Sequence, residues 1–392
     1  MLNSAVNTLN LEEEAVLDPA IRFENPLSEN SNAPKSIFLT GATGFIGAYL
    51  LDELLHKTTA DIYCLIRCSD AEAGKERLKK HLDFYFLWQD SFSSRIIPIV
   101  GDLSQPLLGL VEQQFSQLAS QIDVIYHNGS HLDFSVPYSV VKPTNVLGTQ
   151  EILRLASLTQ TKPVHFISTV VVFFSQAYSQ VDQVKETDIP VFDAGLNNSY
   201  KQSKWVAEQL VRIAQERGLP ACIYRPTRIM GHSQTGIYGK FNNFFLQFVK
   251  ACIQLGKFPA LDVELNIVPV DYCSQAIVRL SQQENSLGKA FHIVNPQPIS
   301  WKKLLELIGS LGYSLKEVSY EQWVMEIKDY ASSNHCEKNM LAPLPKLLNA
   351  AKVISAEKPQ FDARQTIKGL AGTSIACPPI DLQLISTYFS YF

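Results

Sequence analysis

The chain has no apolar run approaching the roughly 20 residues that cross a bilayer, so no membrane-spanning helix is expected. Its amino-terminal stretch, with Leu11-Glu-Glu-Glu-Ala-Val-Leu-Asp18, carries neither a basic nor an apolar signal segment, and no secretory signal is expected. Lys and Arg nowhere form a run, and 34 basic against 38 acidic residues leave a formal net charge of −4. Nucleic acid is therefore not an expected partner. Cysteine is sparse and scattered, at 64, 68, 222, 252, 273, 336 and 377. An odd count without CxxC pairs or His partners excludes a disulfide framework and a zinc site. The expectation is a soluble, cytoplasmic protein whose thiols behave as small buried hydrophobes, with no metal. Internal repeats and low-complexity segments are absent as well.

What is present is a large apolar fraction, 46% of 392 residues, enough for two domains or for one large α/β unit with a smaller cap. Residues 1–34 end in the polar, turn-rich Asn25-Pro-Leu-Ser-Glu-Asn-Ser-Asn-Ala-Pro34 and read as a linker or arm. From Ser36 onward, short apolar runs alternate with helical stretches. The runs are Ile37–Leu39, Ile62–Ile66, Ile96–Val100, Val124–Tyr126, Val164–Ile167 and Ala221–Tyr224, and helices are predicted over Phe45–Lys57, Ala71–Leu82, Val140–Leu158 and Tyr200–Arg217. That alternation predicts an α/β fold with a doubly wound parallel sheet covered on both faces. Beyond it come an aromatic helical pattern (Phe241 to Phe248), sheet-like runs at Ile267–Val270 and Phe291–Val294, and helices after Trp301.

Gly41-Ala-Thr-Gly44-Phe-Ile-Gly47 lies between a predicted strand and a predicted helix. In that context the glycines permit a tight turn and close approach of a dinucleotide pyrophosphate to a helix amino terminus. An acidic residue after the second strand would take a ribose 2′-hydroxyl, but the chain has Arg67 there and no carboxylate before Asp70. A guanidinium suits a 2′-phosphate, so NADPH is the expected cofactor, with Arg77 on the next helix as a second clamp or an ordinary solvated charge. Asp102 and Leu103 can border the adenine, Asp102 alternatively forming an Asx turn. Asn128, Gly129 and Ser130 can flank the cofactor's middle, while His127 and His131 read as structural.

Tyr and Lys four apart share a helical face, and the chain has two such pairs, Tyr138 with Lys142 and Tyr200 with Lys204. Lys142 precedes Pro143, whereas Tyr200 opens a long helix after the strand that delivers Ser168 and Thr169. Only the second pair fits a site for carbonyl reduction. Such chemistry needs a hydroxyl donor to the carbonyl oxygen, a proton source, and a cation beside it. Thr169, Tyr200 and Lys204 fill these roles, with Ser168 as the alternative hydroxyl.

These segments, with Leu65-Ile-Arg67, Arg95-Ile-Ile-Pro-Ile-Val-Gly-Asp-Leu103, His127-Asn-Gly129, Asn145-Val-Leu-Gly-Thr149 and Tyr224-Arg-Pro-Thr-Arg-Ile-Met-Gly231, resemble a known family. The chain is similar to extended short-chain dehydrogenase/reductases with a Rossmann-type sheet, and among them to the thioester reductase domains that end non-ribosomal peptide synthetases. The expected division is an NADP-binding Rossmann-type domain over 35–230, with 263–298 returning to it, and a smaller, mainly helical C-terminal substrate-binding cap made of 231–262 and 299–392. The resemblance implies that Thr43, Phe45, Ile46 and Pro226 also border NADPH, as do Tyr200 and Lys204. It further implies a phosphopantetheinylated carrier protein as partner, residues 1–34 as the connector from that carrier, release of the thioester-bound chain as an aldehyde or, after a second reduction, an alcohol, and a monomer when excised. A fatty acyl-CoA reductase is the rival enzyme, and a non-catalytic NADPH-binding regulator the rival of another class. The connector-like arm disfavours the first; Thr169, Tyr200 and Lys204 together disfavour the second.

Overall fold

The computed structural model describes residues 10–193, 195–239, 244–332 and 359–391, in two compact units. The larger comprises residues 1–226, 273–293 and 359–375, and the smaller 227–272, 294–358 and 376–392.

The larger unit is built on seven parallel strands: β1 Ser36–Thr40, β2 Asp61–Ile66, β3 Ile96–Val100, β4 Val124–His127, β5 Val164–Ile167, β6 Ala221–Pro226 and β7 Ala290–Ile293. Their spatial order is β7-β6-β5-β4-β1-β2-β3. Between them run α1 Phe45–Lys57, α2 Ala71–Phe84, α3 Glu112–Gln121, α4 Tyr138–Lys142, α5 Gly148–Ser157 and α6 Ser199–Glu216. Strands β4, β5 and β6 are buried at every residue, as strands covered on both faces must be, and they are largely apolar for that reason, with His127, His165 and Arg225 as the buried polar exceptions. Strand order reverses at β1, which pairs with β2 on one side and β4 on the other. Crevices for ligands open at the carboxyl ends of strands at such a reversal. Here those ends are Gly41 and Asn128.

The amino-terminal segment, expected as a linker or arm, is in part packed into the larger unit. Leu11 to Glu14 form a helical turn, and Leu11, Leu17, Ile21 and Phe23 are buried in the core of the larger unit. Arg217, just past α6, donates to the carbonyls of Leu17, Asp18 and Ile21. The segment is held by apolar residues at no single period and by its own carbonyls, which is why its composition reads as a linker. The Tyr138 and Lys142 pair serves here: the Lys142 ammonium lies 2.6 Å from a Glu14 carboxylate oxygen, and the Tyr138 hydroxyl donates to the same oxygen.

Two further boundaries differ from expectation. Ile267–Pro269 pairs in parallel with Arg228–Met230 inside the smaller unit, so the return to the large sheet is limited to residues 273–293. Residues 359–375 belong to the larger unit: Gln360–Phe361 pairs with Gln183–Val184, and the buried Glu186 carboxylate accepts from the backbone of Gln365 and Thr366 at the start of helix Arg364–Leu370. The smaller unit has its own aromatic core, where Phe248 stacks on Trp301 at 5.2 Å and meets Trp323 edge-on at 5.1 Å. Phe245 and Phe248 are thus core residues of that unit; Phe241 and Cys336 lie outside the described residues. Among the described residues no helix is long and apolar enough to cross a membrane.

Candidate active site

Gly41 ends β1 with φ +75, a left-handed conformation that favours glycine, and a Cβ there would stand 2.8 Å from the Gly129 backbone. Gly44 is the amino-terminal cap of α1, with no side-chain capping bond and no acidic residue in the first turn. A helix start of this kind presents backbone N–H groups and a positive dipole end to an anion. Thr43 sits in the turn and Phe45, Ile46 and Gly47 form that first turn. Gly47 carries the tightest contact: a Cβ would lie 1.9 Å from the Gly41 carbonyl oxygen. Asn128 Nδ2 donates to that same carbonyl, which fastens the β4 loop to the glycine turn.

At the end of β2 the exposed Arg67 has no acidic rival, because Asp70 caps α2 by accepting from Ala73 N–H at 2.8 Å. Arg77 Nη1 donates to the Arg67 carbonyl at 2.6 Å, so both guanidinium-bearing residues meet at one edge of the crevice. His81, one turn further along α2, donates from Nε2 to the Gly44 carbonyl at 3.1 Å. Nothing in the sequence spacing of His81 marks it as facing the glycine turn. Asp102 forms the Asx turn, accepting from the Ser104 backbone and hydroxyl. Leu103 is buried, and a Cβ on Gly129 or Gly148 would collide with its side chain. It therefore fills the space beneath the β4 loop. Ser130 is exposed beyond it.

His127 is fully engaged. The Thr149 hydroxyl donates to the Asn145 carbonyl at 2.7 Å, so it accepts from His127 Nε2–H at 2.9 Å; Nδ1 then accepts from the Thr40 hydroxyl, which in turn accepts Gly129 N–H. Burial, and secondarily the Lys204 charge, lower its pKa to about 3, so the ring is neutral. Asn145 lies in the π-helical turn Pro143–Leu147 and binds both backbone groups of His131 and the Ser203 hydroxyl. Ser203 in turn donates to the Tyr200 carbonyl. Asn145 is a site-building residue that the sequence marks by nothing except the local Asn-Val-Leu-Gly-Thr string.

Thr169 follows β5, buried, its hydroxyl accepting from Val171 N–H at 3.3 Å. Lys204 Nζ donates to the Ile167 carbonyl at 2.7 Å and lies 4.2 Å from the centre of the Phe166 ring, which brings it within two residues of Thr169. Tyr200 sits one helical turn before Lys204, its ring edge-on to Phe134 at 5.4 Å. Burial pushes the Tyr200 hydroxyl up to about 12. Burial also lowers Lys204 to about 7, opposed by the charge of Glu208. Ser168 is taken: its hydroxyl donates to Glu208 at 2.6 Å. Pro226 closes β6, opposite Ile293. Among the described residues no group of three His, Cys, Asp or Glu side chains is placed to hold a metal.

A family model described as "Male sterility protein" matches residues 39–277. One polypeptide of the linear gramicidin synthase of Brevibacillus parabrevis is 40% identical over 391 residues, all of this chain but only 8% of that protein. The crystal structure of the terminal R domain from the myxalamid PKS-NRPS biosynthetic pathway superposes with a TM-score of 0.91 at 41% identity, covering 97% of this chain and 96% of that one. A thiolation-reductase di-domain from an archaeal non-ribosomal peptide synthetase shares the fold, with a TM-score of 0.75 at 24% identity over 98% of this chain and 81% of that one. The glycine turn, the strand order and these matches agree: the chain belongs to the male sterility protein family of NAD(P)-binding oxidoreductases.

Proposed function

We propose that the chain reduces an acyl or peptidyl thioester held on the phosphopantetheine of a carrier protein, using NADPH, and releases the chain as an aldehyde. The observation that supports this reading is that the glycine turn after β1 and Thr169 after β5 stand at the carboxyl ends of one parallel sheet, with Lys204, one turn after Tyr200 on α6, bonded to the Ile167 carbonyl at the end of β5. The relatives supply the substrate class, since both the R domain and the gramicidin synthase belong to peptide-assembling systems.

The chain fits NADPH at several points. The α1 start would hold the pyrophosphate, and a Cβ at Gly47 would strike the Gly41 carbonyl and open the turn that shapes it. Arg67 and Arg77 would hold the 2′-phosphate, and Lys204 the nicotinamide ribose. When bound, NADPH supplies the hydride. Thr169 would donate a hydrogen bond to the thioester oxygen, and Tyr200, kept protonated by its burial, would give a proton to that oxygen as hydride reaches the carbon. The resulting hemithioacetal loses its C–S bond, its hydroxyl proton passes to the departing sulfur, and aldehyde and carrier thiol separate.

Mixing the chain with an acyl-loaded carrier protein and NADPH should yield free aldehyde and one equivalent of NADP⁺ for each aldehyde formed. Alcohol with two equivalents would mean a second round of reduction; acid or cyclic amide without NADPH oxidation would overturn the reading. The cofactor choice has a separate check. Arg67→Ala should weaken NADPH binding by at least about tenfold, the scale of one charge-assisted phosphate contact, and leave NADH binding nearly unchanged. Equal losses for both nicotinamides, measured by fluorescence titration, would sink the 2′-phosphate argument.

A further inference from the structure

Glu208 lies one turn beyond Lys204 on α6, and its side chain is wholly shielded from solvent. One carboxylate oxygen accepts from Arg225 Nη2 at 2.7 Å, the other from the Ser168 hydroxyl at 2.6 Å. Arg212 adds a third donor at 3.2 Å from the partly open side. The Arg225 guanidinium is itself fully buried, bonded to the Glu186 and Asp188 carbonyls and to His292 Nε2, and set 4.6 Å from the Phe173 ring. Despite burial, these cations and the Ser168 hydroxyl hold Glu208 down at about 2. It is therefore an anion at every working pH.

We propose that Glu208 is a positioning residue of the reductase site: it ties Ser168 away from the substrate carbonyl and places a fixed negative charge one helical turn from Lys204. The first effect is steric and directional. A hydroxyl has one proton, and Ser168 gives it to Glu208, which leaves Thr169 as the strand-end hydroxyl able to donate to a substrate oxygen. The second effect is electrostatic. Lys204 is faced by the neutral His127 from β4, by the Ile167 carbonyl and Phe166 ring from β5, and by Tyr200 and Glu208 on its own helix. Among these Glu208 is the anion, and its field favours the ammonium that burial disfavours. A pair that served only to hold β6 against α6 would need no bond to the catalytic strand end. The inference rests on the reductase reading, since Lys204 must stay charged only if it acts beside a nicotinamide and a proton-donating Tyr.

The test is the rate of NADPH oxidation with an acyl-loaded carrier protein between about pH 6 and about pH 9, using the whole chain. Glu208→Gln should move the alkaline limb of kcat toward acid by about one pH unit, because Lys204 loses its proton earlier, so the deficit at high pH is about tenfold larger than at low pH. KM should change by no more than about threefold. Glu208→Asp should restore the position of the limb. Should Glu208→Gln alone not fold, the double change with Arg225→Gln removes one buried charge of each sign and keeps the same readout, since Glu208 carries the charge one helical turn from Lys204. A variant profile parallel to the parent, lowered at all pH values alike, would overturn the proposal. So would a loss in Ser168→Ala as deep as in Thr169→Ala. Absence of any NADPH oxidation by the parent chain would instead remove the reductase reading, and this inference with it.

Discussion

Tyr200→Phe is expected to lower the rate of NADPH-dependent reduction by at least about 100-fold, the usual worth of a positioned proton donor, while NADPH affinity stays within about threefold. The substitution removes one oxygen and nothing else. The ring remains buried against Phe134, the α6 backbone keeps its Asn198 cap, and Lys204 keeps its bond to the Ile167 carbonyl. What disappears is the proton for the substrate oxygen. Because burial raises the Tyr200 hydroxyl, the parent should hold its proton across the neutral range, so the deficit should be flat from about pH 6 to about pH 8 rather than confined to one limb. Stopped-flow absorbance of NADPH with a saturating acyl-loaded carrier protein would measure it. Full turnover in Tyr200→Phe would show that some other group protonates the oxygen, and the assignment of α6 as the catalytic helix would fall.

Much of the sheet was legible because parallel strands leave short, largely apolar runs: Val164–Ile167 in the covered middle and Ile96–Val100 at the sheet edge coincide with their strands, and Phe45–Lys57 with its helix. A run cannot say which sheet it joins. Ile267–Pro269 is as apolar as β7, yet it pairs with Arg228–Met230, and only the chain's path through the smaller unit decides this. The packing of the amino-terminal segment was not legible for a related reason, since Leu11, Leu17, Ile21 and Phe23 follow neither a helical nor a strand period. Within the candidate site, residues that meet their partners within one turn or one strand end were readable: the glycine turn, and Tyr200 with Lys204. Those that meet partners across the sheet were not. Glu208 lies 40 positions from Ser168 and 17 from Arg225, and His81 lies 37 from Gly44. No local pattern encodes such pairs. The choice between Tyr138 and Tyr200 shows the intermediate case, where identical spacing is separated by the proline after Lys142 and by the strand that precedes Tyr200, and the other pair binds Glu14.

Gly47→Ala should be the most damaging single-methyl change in the nucleotide-binding unit, lowering stability by about 3 kcal/mol or more and NADPH affinity by at least about 100-fold. The added carbon would meet the Gly41 carbonyl oxygen at 1.9 Å and the carbonyl carbon at 2.8 Å. Both atoms are backbone, so no rotamer relieves the clash. The Gly41 carbonyl also receives Gly44 N–H at 2.9 Å and the Asn128 amide, so displacing it loosens the turn, the α1 start and the β4 loop at once. These are the parts that would receive the pyrophosphate, which is why affinity should fall beyond what a melting shift alone explains. Gly309→Ala provides the control. It lies in helix Trp301–Ser310 with nothing within 4 Å of the new Cβ, and reduced freedom of the unfolded chain should make it neutral or stabilising. Thermal melting and NADPH titration of both variants would separate the effects. A Gly47→Ala protein that melts and binds like its parent would mean that α1 can shift away from β1 at little cost, and that the close packing of turn against helix is not what shapes the cofactor site.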